Sequence, residues 1–178
     1  MHKELADLIN QNVSSAKATV KEPEEKGDAS VVIASESIRD VAKFLKENKQ
    51  KPFNVLQVIT GTDYPDFFEV SYMFAHFNLE NPYDVILKVQ VKDKNDPKLD
   101  SIASLFTAAN WQERECYDML GVKFNDHPDH RRILCPDDWE GYPLRKDYKA
   151  AEYYNDMKIY PEEKMNIEDR TRCGHIKQ

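Results

Sequence analysis

The sequence predicts an α+β fold: a mostly antiparallel sheet with helices packed on one face, followed by an extended C-terminal tail. Three observations carry this reading. Apolar residues alternate over YDVILKVQVK, residues 83–92, as in a half-buried strand. They recur at three- and four-residue spacing over SESIRDVAKFLKENK, residues 35–49, as in an amphipathic helix. After Val122 no regular apolar repeat remains.

In chain order, HKELADLINQNV sets Leu5, Leu8 and Ile9 at helical spacing. ATVKEPEEKGD predicts a brief strand followed by a charged turn through Pro23 and Gly27. SVVIAS is a short apolar β-branched run suited to an interior strand. Ser35 or Ser37 is placed to cap the next helix, whose buried stripe is Ile38, Val41, Phe44 and Leu45. Beyond Pro52, NVLQVITGTDY predicts a strand closing at Gly61. DFFEVSYMFAHF predicts a longer, central strand with aromatics on both faces. The short link NLENP then makes a hairpin with residues 83–92, whose Tyr83, Val85, Leu87, Val89 and Val91 point inward. Asp96-Pro97 has the form of a cap with proline at the first helical position, predicting a helix that buries Leu99, Ile102, Leu105 and Phe106. A second helical piece, NWQERECYDMLG, ends at Gly121 in the manner of a left-handed C-cap. The expected divisions are 1–121, the α+β domain; 122–148, a loop region forming an interaction surface; and 149–178, an extended tail that wraps a partner.

Composition removes several functions. The chain of 178 residues carries a net charge of −7, which argues against a nucleic-acid binder. No run approaches the ~20 apolar residues of a membrane span, and MHKELADLINQ does not read as a signal peptide, so a cytosolic chain is expected, with membrane contact only through a complex. Cys116, Cys135 and Cys173 are widely spaced with no C-x-x-C pair, and read as ordinary thiols.

The densest polar stretch is NDHPDHRRIL, residues 125–134. His127 and His130, flanked by Asp126 and Asp129, could ligate a metal, but Pro128 opposes the helix that would align them. Acid–base chemistry could draw on Glu113, Glu115, Asp118, Asp126 and Asp129. Yet nine acids and six Lys or Arg residues lie between Glu113 and Tyr148, a mixture that more often forms ion pairs and caps than one perturbed pair. No phosphate-binding glycine loop or nucleophile elbow is present. The third reading, an interaction surface, leads: Arg131, Arg132 and Arg145 offer forked bonds to carboxylates, and Trp139, Tyr142 and Tyr148 offer amphipathic area.

The run ERECYDMLGVKFNDHPDHRRILCPDDWEGYPLRKDY, Glu113 to Tyr148, resembles the signature of the 30-kDa subunit of respiratory complex I. The pattern E-R-E-x-aromatic-D-M-x-G is met by Glu113, Arg114, Glu115, Tyr117, Asp118, Met119 and Gly121. H-P-D-x-R-R-I-L is met by His127, Pro128, Asp129, Arg131, Arg132, Ile133 and Leu134, and G-x-P-L-R-K-D-aromatic by Gly141, Pro143, Leu144, Arg145, Lys146, Asp147 and Tyr148. His130, Cys135 and Tyr142 depart from the commoner residues at their positions.

The resemblance implies a subunit of the peripheral arm of a proton-translocating NADH:quinone oxidoreductase, on the cytoplasmic (or matrix) side of the membrane. It implies no cofactor in this chain, with FMN, iron–sulfur clusters and quinone held by partner subunits. The implied partners are the large quinone-site subunit and neighbouring iron–sulfur subunits. The expected interface comprises Glu113, Arg114, Glu115, Asp118, His127, Asp129, Arg131, Arg132, Trp139, Arg145, Lys146, Asp147 and Tyr148. The alternative is the equivalent subunit of a membrane-bound hydrogenase; an unrelated binding module or metallohydrolase is more distant.

Overall fold

The computed structural model describes residues 2–23, 28–49, 51–77 and 82–158. Contacts divide the chain into two units, Met1–Tyr148 and Lys149–Gln178. The first holds helices α1 (His2–Asn12), α2 (Ile38–Glu47) and α3 (Ala109–Leu120), with strands β1 (Thr19–Lys21), β2 (Ser30–Ile33), β3 (Val55–Asp63), β4 (Phe68–His76), β5 (Tyr83–Val91), β6 (Lys98–Asp100) and β7 (Lys123–Asn125). In the second, β8 (Tyr153–Tyr154) and β9 (Met157–Lys158) pair as a small antiparallel hairpin. The expected tail extends past them, and residues 159–178, Tyr160 among them, lie outside the described residues.

The main sheet runs β1-β2-β5-β4-β3, antiparallel except for the β2–β5 pair. Its register puts Ile59, Tyr72 and Leu87 in one row across three strands, and Leu56, Phe74 and Val85 in another. With period-two alternation these rows share one face. Leu5, Ile9, Ile38, Val41, Leu45, Cys116 and Leu120 belong to the same buried cluster, so the helices cover that face. Phe68, Tyr72 and Phe74 are fully buried, each contributing roughly 1.5–3 kcal/mol by leaving water. β4 is paired on both sides, as expected, but these aromatics share one face, and Glu69, Ser71 and Met73 occupy the other. β3 runs two residues past Gly61.

Ser37 holds the position before α2, but its hydroxyl donates to the Ala34 carbonyl (2.8 Å) and makes no cap bond. The helix expected after Pro97 is replaced by β6, which pairs in parallel with β7. Leu99, Ile102 and Phe106 are buried as expected, but Leu99 lies in a strand opposite Phe124. A single turn, with Phe106 N–H donating to Ile102 O (2.9 Å), buries the other two. β7 likewise falls where no regular structure was expected. Gly121 ends α3 as read from the sequence: φ is 79°, and its N–H donates to Tyr117 O at 2.8 Å.

α3 lies against β3. A methyl at Gly61 would overlap Leu120 Cδ1, so the missing side chain permits this approach. Gln112 Oε1 accepts the Ile59 N–H, and its Nε2 donates to Gln57 O (3.4 Å).

Candidate functional site

Helical spacing sets Glu113 on the same face of α3 as Ala109, Cys116 and Leu120, whereas Arg114 and Asp118 turn toward the loop at 129–135. Glu113, Arg114 and Asp118 are all buried, and each collects partners that stabilise a neighbouring loop.

Glu113 Oε2 accepts the Ser101 hydroxyl at 2.6 Å, and Oε1 accepts the Ile102 N–H at 2.8 Å. Burial pushes its carboxyl up to about 7, against the lowering effect of these two bonds and of Arg39. His127 is enclosed beside it, with Nε2 at 3.7 Å from Oε2. His127 Nδ1 accepts the Asp129 N–H (3.1 Å), so its ring proton sits on Nε2, directed at Asn110 O (3.0 Å). His130 Nε2 accepts the Phe124 N–H at 3.0 Å, and burial together with His127 holds its imidazole below the ordinary value.

Asp118 is the hub of the loop that follows. Its Oδ2 accepts three successive backbone N–H groups, from Ile133 (2.9 Å), Leu134 (2.6 Å) and Cys135 (2.9 Å). Its Oδ1 accepts Arg132 Nη1 at 2.8 Å. Three consecutive amides form a concave anion receptor, filled here by a carboxylate of the same chain. Burial alone would raise this carboxyl, but the amides and the guanidinium outweigh it and hold it below the usual range. Arg132 continues to Gly141 O at 2.9 Å. Arg114 pairs with Asp129 at 3.1 Å, donates to Arg131 O (3.1 Å), and lies 4.9 Å from the Trp111 ring centre.

Arg145 closes the α3 C-terminus by donating Nε to Leu120 O at 2.7 Å. It sits between the rings of Phe68 (5.1 Å) and Tyr142 (4.6 Å). The Leu144 N–H donates to Met119 O (3.0 Å), and the Lys146 N–H to Asp63 Oδ2 (2.8 Å).

Of the residues expected at an interface, Glu113, Asp118 and His127 have fully enclosed side chains whose partners lie within the chain. Arg114, Asp129, Arg132 and Arg145 are also engaged internally. Arg131 pairs with Asp129 at 2.9 Å but is largely exposed. Trp139 and Tyr148 are half-buried, the latter with its ring over Gly141. Glu115, Lys146 and Asp147 are exposed. Among the described residues, no group of three or more His, Cys, Asp and Glu is placed to hold a metal ion.

The sequence reading missed Arg39, which bonds Ser101 O (3.1 Å), Asn125 O (3.2 Å) and Asp126 Oδ2 (2.9 Å) and so ties α2 to the loop. It also missed Ser101, Asn110 and Gln112. Nothing local marks these positions; the available signal was the proline-flanked loop itself, whose backbone N–H groups need acceptors from elsewhere.

Residues 31–154 match the family model described as respiratory-chain NADH dehydrogenase, 30 Kd subunit. The chain belongs to that family. It is 43% identical over 120 residues to an NADH-quinone oxidoreductase subunit of Chloroherpeton thalassium, covering 67% of this chain and 49% of that one. Its likeness to the subunit of the same name from Chlorobium phaeobacteroides is 40% over 131 residues, or 72% and 77% of the two chains. The one from Geobacter sulfurreducens is 42% identical over 127 residues, or 70% and 76%. The chain thus spans about half of the first relative's length and about three quarters of the other two. A solved structure of an archaeal membrane-bound sulfane sulfur reductase, a respiratory membrane complex, contains a chain of the same fold. Its TM-score is 0.67 at 23% identity, over 91% of this chain and 96% of that one. In this chain the signature forms a buried polar lattice between α3 and the loops around it.

Proposed function

We propose that this chain is a cofactor-free, non-catalytic subunit of the peripheral arm of a proton-translocating NADH:quinone oxidoreductase. It stands on the cytoplasmic side of the membrane, beside the quinone-site and iron–sulfur subunits, and supports their assembly. The observation that carries this is the commitment of the signature's ionisable groups. Asp118 accepts four hydrogen bonds, His127 and His130 each spend a ring nitrogen on a backbone N–H, and Glu113 is enclosed by Ser101 and Ile102. Groups used this way fix a surface; they are poorly placed to exchange protons with a substrate. Among the described residues no helix is long and apolar enough to cross a membrane, which accords with a peripheral position. The relatives named as NADH-quinone oxidoreductase subunits, at 40–43% identity, favour this complex over a hydrogenase-type one.

The test is removal of the chain from its host. NADH:quinone activity of the membranes should fall to background and return with the wild-type gene, and the purified complex should contain the chain. Full activity without it would refute the proposal.

A further inference from the structure

We propose that His127 and His130 form an acid-released clasp: a proton taken up from solvent by either imidazole undoes its hold on the loop that follows β7.

Each ring fastens the loop through a nitrogen that has no hydrogen to give. The Asp129 N–H donates to His127 Nδ1 (3.1 Å), and the Phe124 N–H to His130 Nε2 (3.0 Å). A backbone N–H can only donate, so each nitrogen offers its lone pair and each imidazole is neutral. A proton added at that nitrogen sets a donor against a donor, and the bond is lost. The two ring centres are 5.7 Å apart, so a charge on one ring raises the cost of a charge on the other. The pattern H-P-D-x-R-R leaves the position of His130 open, so the second half of the clasp belongs to this sequence and not to the signature.

The groups packed around the pair do not compensate a new positive charge. On α3, Glu113 Oε2 lies 3.7 Å from His127 Nε2, but burial pushes this carboxyl up to about 7, so it is neutral in the acid range. Tyr117, also on α3, sets an uncharged ring 4.2 Å from that of His130. Lys123 of β7 acts on His130 with a charge of the same sign. In the loop itself Asp126 is paired with Arg39 of α2, and Asp129 with Arg114 and Arg131. Burial, then His127 and Lys123, hold the His130 imidazole below the ordinary 6.5. The unfolded imidazole takes its proton near 6.5 and the folded one only at lower pH. The stability tied to His130 is therefore full above 6.5 and is lost as pH falls through the folded value. Release frees the backbone of Asp129, whose carboxylate positions Arg114 and Arg131, so acid loosens both arginines together.

The experiment follows the 15N-labelled full-length chain by NMR from about pH 8 to about pH 5. At the upper end, ring nitrogen shifts should place the hydrogen on Nε2 of His127 and on Nδ1 of His130. Toward the lower end, amide exchange at Phe124 and Asp129, corrected for its intrinsic rate, should lose about tenfold in protection. His130→Gln keeps an acceptor near the Nε2 position without a titrating group, so the Phe124 amide should stay protected throughout. His127→Asn should do the same for the Asp129 amide. Constant protection of both amides in the wild-type chain would overturn the clasp, whatever the variants do. An equal acid loss in the wild-type chain and both variants would also overturn it, by placing the sensitivity elsewhere. A hydrogen on Nδ1 of His127 or on Nε2 of His130 at the upper end would refute the geometry on which it stands.

Discussion

Replacing Asp118 with alanine is the sharpest test of the lattice. The substitution strands the N–H groups of Ile133, Leu134 and Cys135 and the Arg132 guanidinium, whose side chain is only 12% exposed. Counting each orphaned donor at about 1–3 kcal/mol would give a sum near the whole stability of a domain, about 5–15 kcal/mol. That sum is too large, because Leu134 is at the surface and its backbone can regain water. The dominant cost is the uncompensated guanidinium, so a loss of about 3–5 kcal/mol is expected. Asp118→Asn should lose less, since one oxygen still faces either the amides or Arg132, while its NH2 opposes the other. Urea unfolding of the full-length chain reads the total, and hydrogen exchange at residues 133–135 reads the site. The reasoning is wrong if Asp118→Ala unfolds within about 1 kcal/mol of wild type and these amides stay protected.

Glu113 gives a pH test. Its folded value, about 7, lies above the ordinary 4.5, so the folded chain holds this proton more tightly than the unfolded one. The associated stability is present below pH 4.5 and is lost as pH rises to about 7, a change of about 3 kcal/mol. Glu113→Gln should therefore gain on wild type across that window; a constant difference between the two unfolding curves would contradict the assignment. Gly121→Ala should cost about 2 kcal/mol or more in thermal unfolding, since φ of 79° disfavours a side chain and the added methyl meets Tyr142 and Arg145. The purified chain should carry no stoichiometric iron, zinc, flavin or nucleotide by elemental analysis and absorption; one tightly held metal lost on His127→Ala with His130→Ala would restore the metal reading.

The sheet was legible where one strand declares its own face. The alternation of residues 83–91 survives as buried Val85, Leu87, Val89 and Val91. The helix expected after Pro97 shows the limit. Leu99, Ile102 and Phe106 have the spacing of a helical stripe, but burial is all that this spacing reported. The competing state is a parallel pairing with residues 123–125, beyond the reach of any local window. The site divides in the same way. The signature contains most of the residues that the structure brings together, whereas their distribution between a buried lattice and an outer surface depends on how α3 is rotated against β3. The Arg39–Asp126 pair, 87 positions apart, has no sequence signal at all.

The bonds from Gln112 to β3 bear on the behaviour of the free chain. β3 is the last strand of the sheet, and bare outer strands invite pairing with other chains. Here the Ile59 N–H and the Gln57 carbonyl are already taken by Gln112 of α3, so the chain offers no free template at that point for cross-chain strand addition. Gln112→Ala uncovers the Ile59 N–H, and light scattering of the concentrated free chain should rise with it.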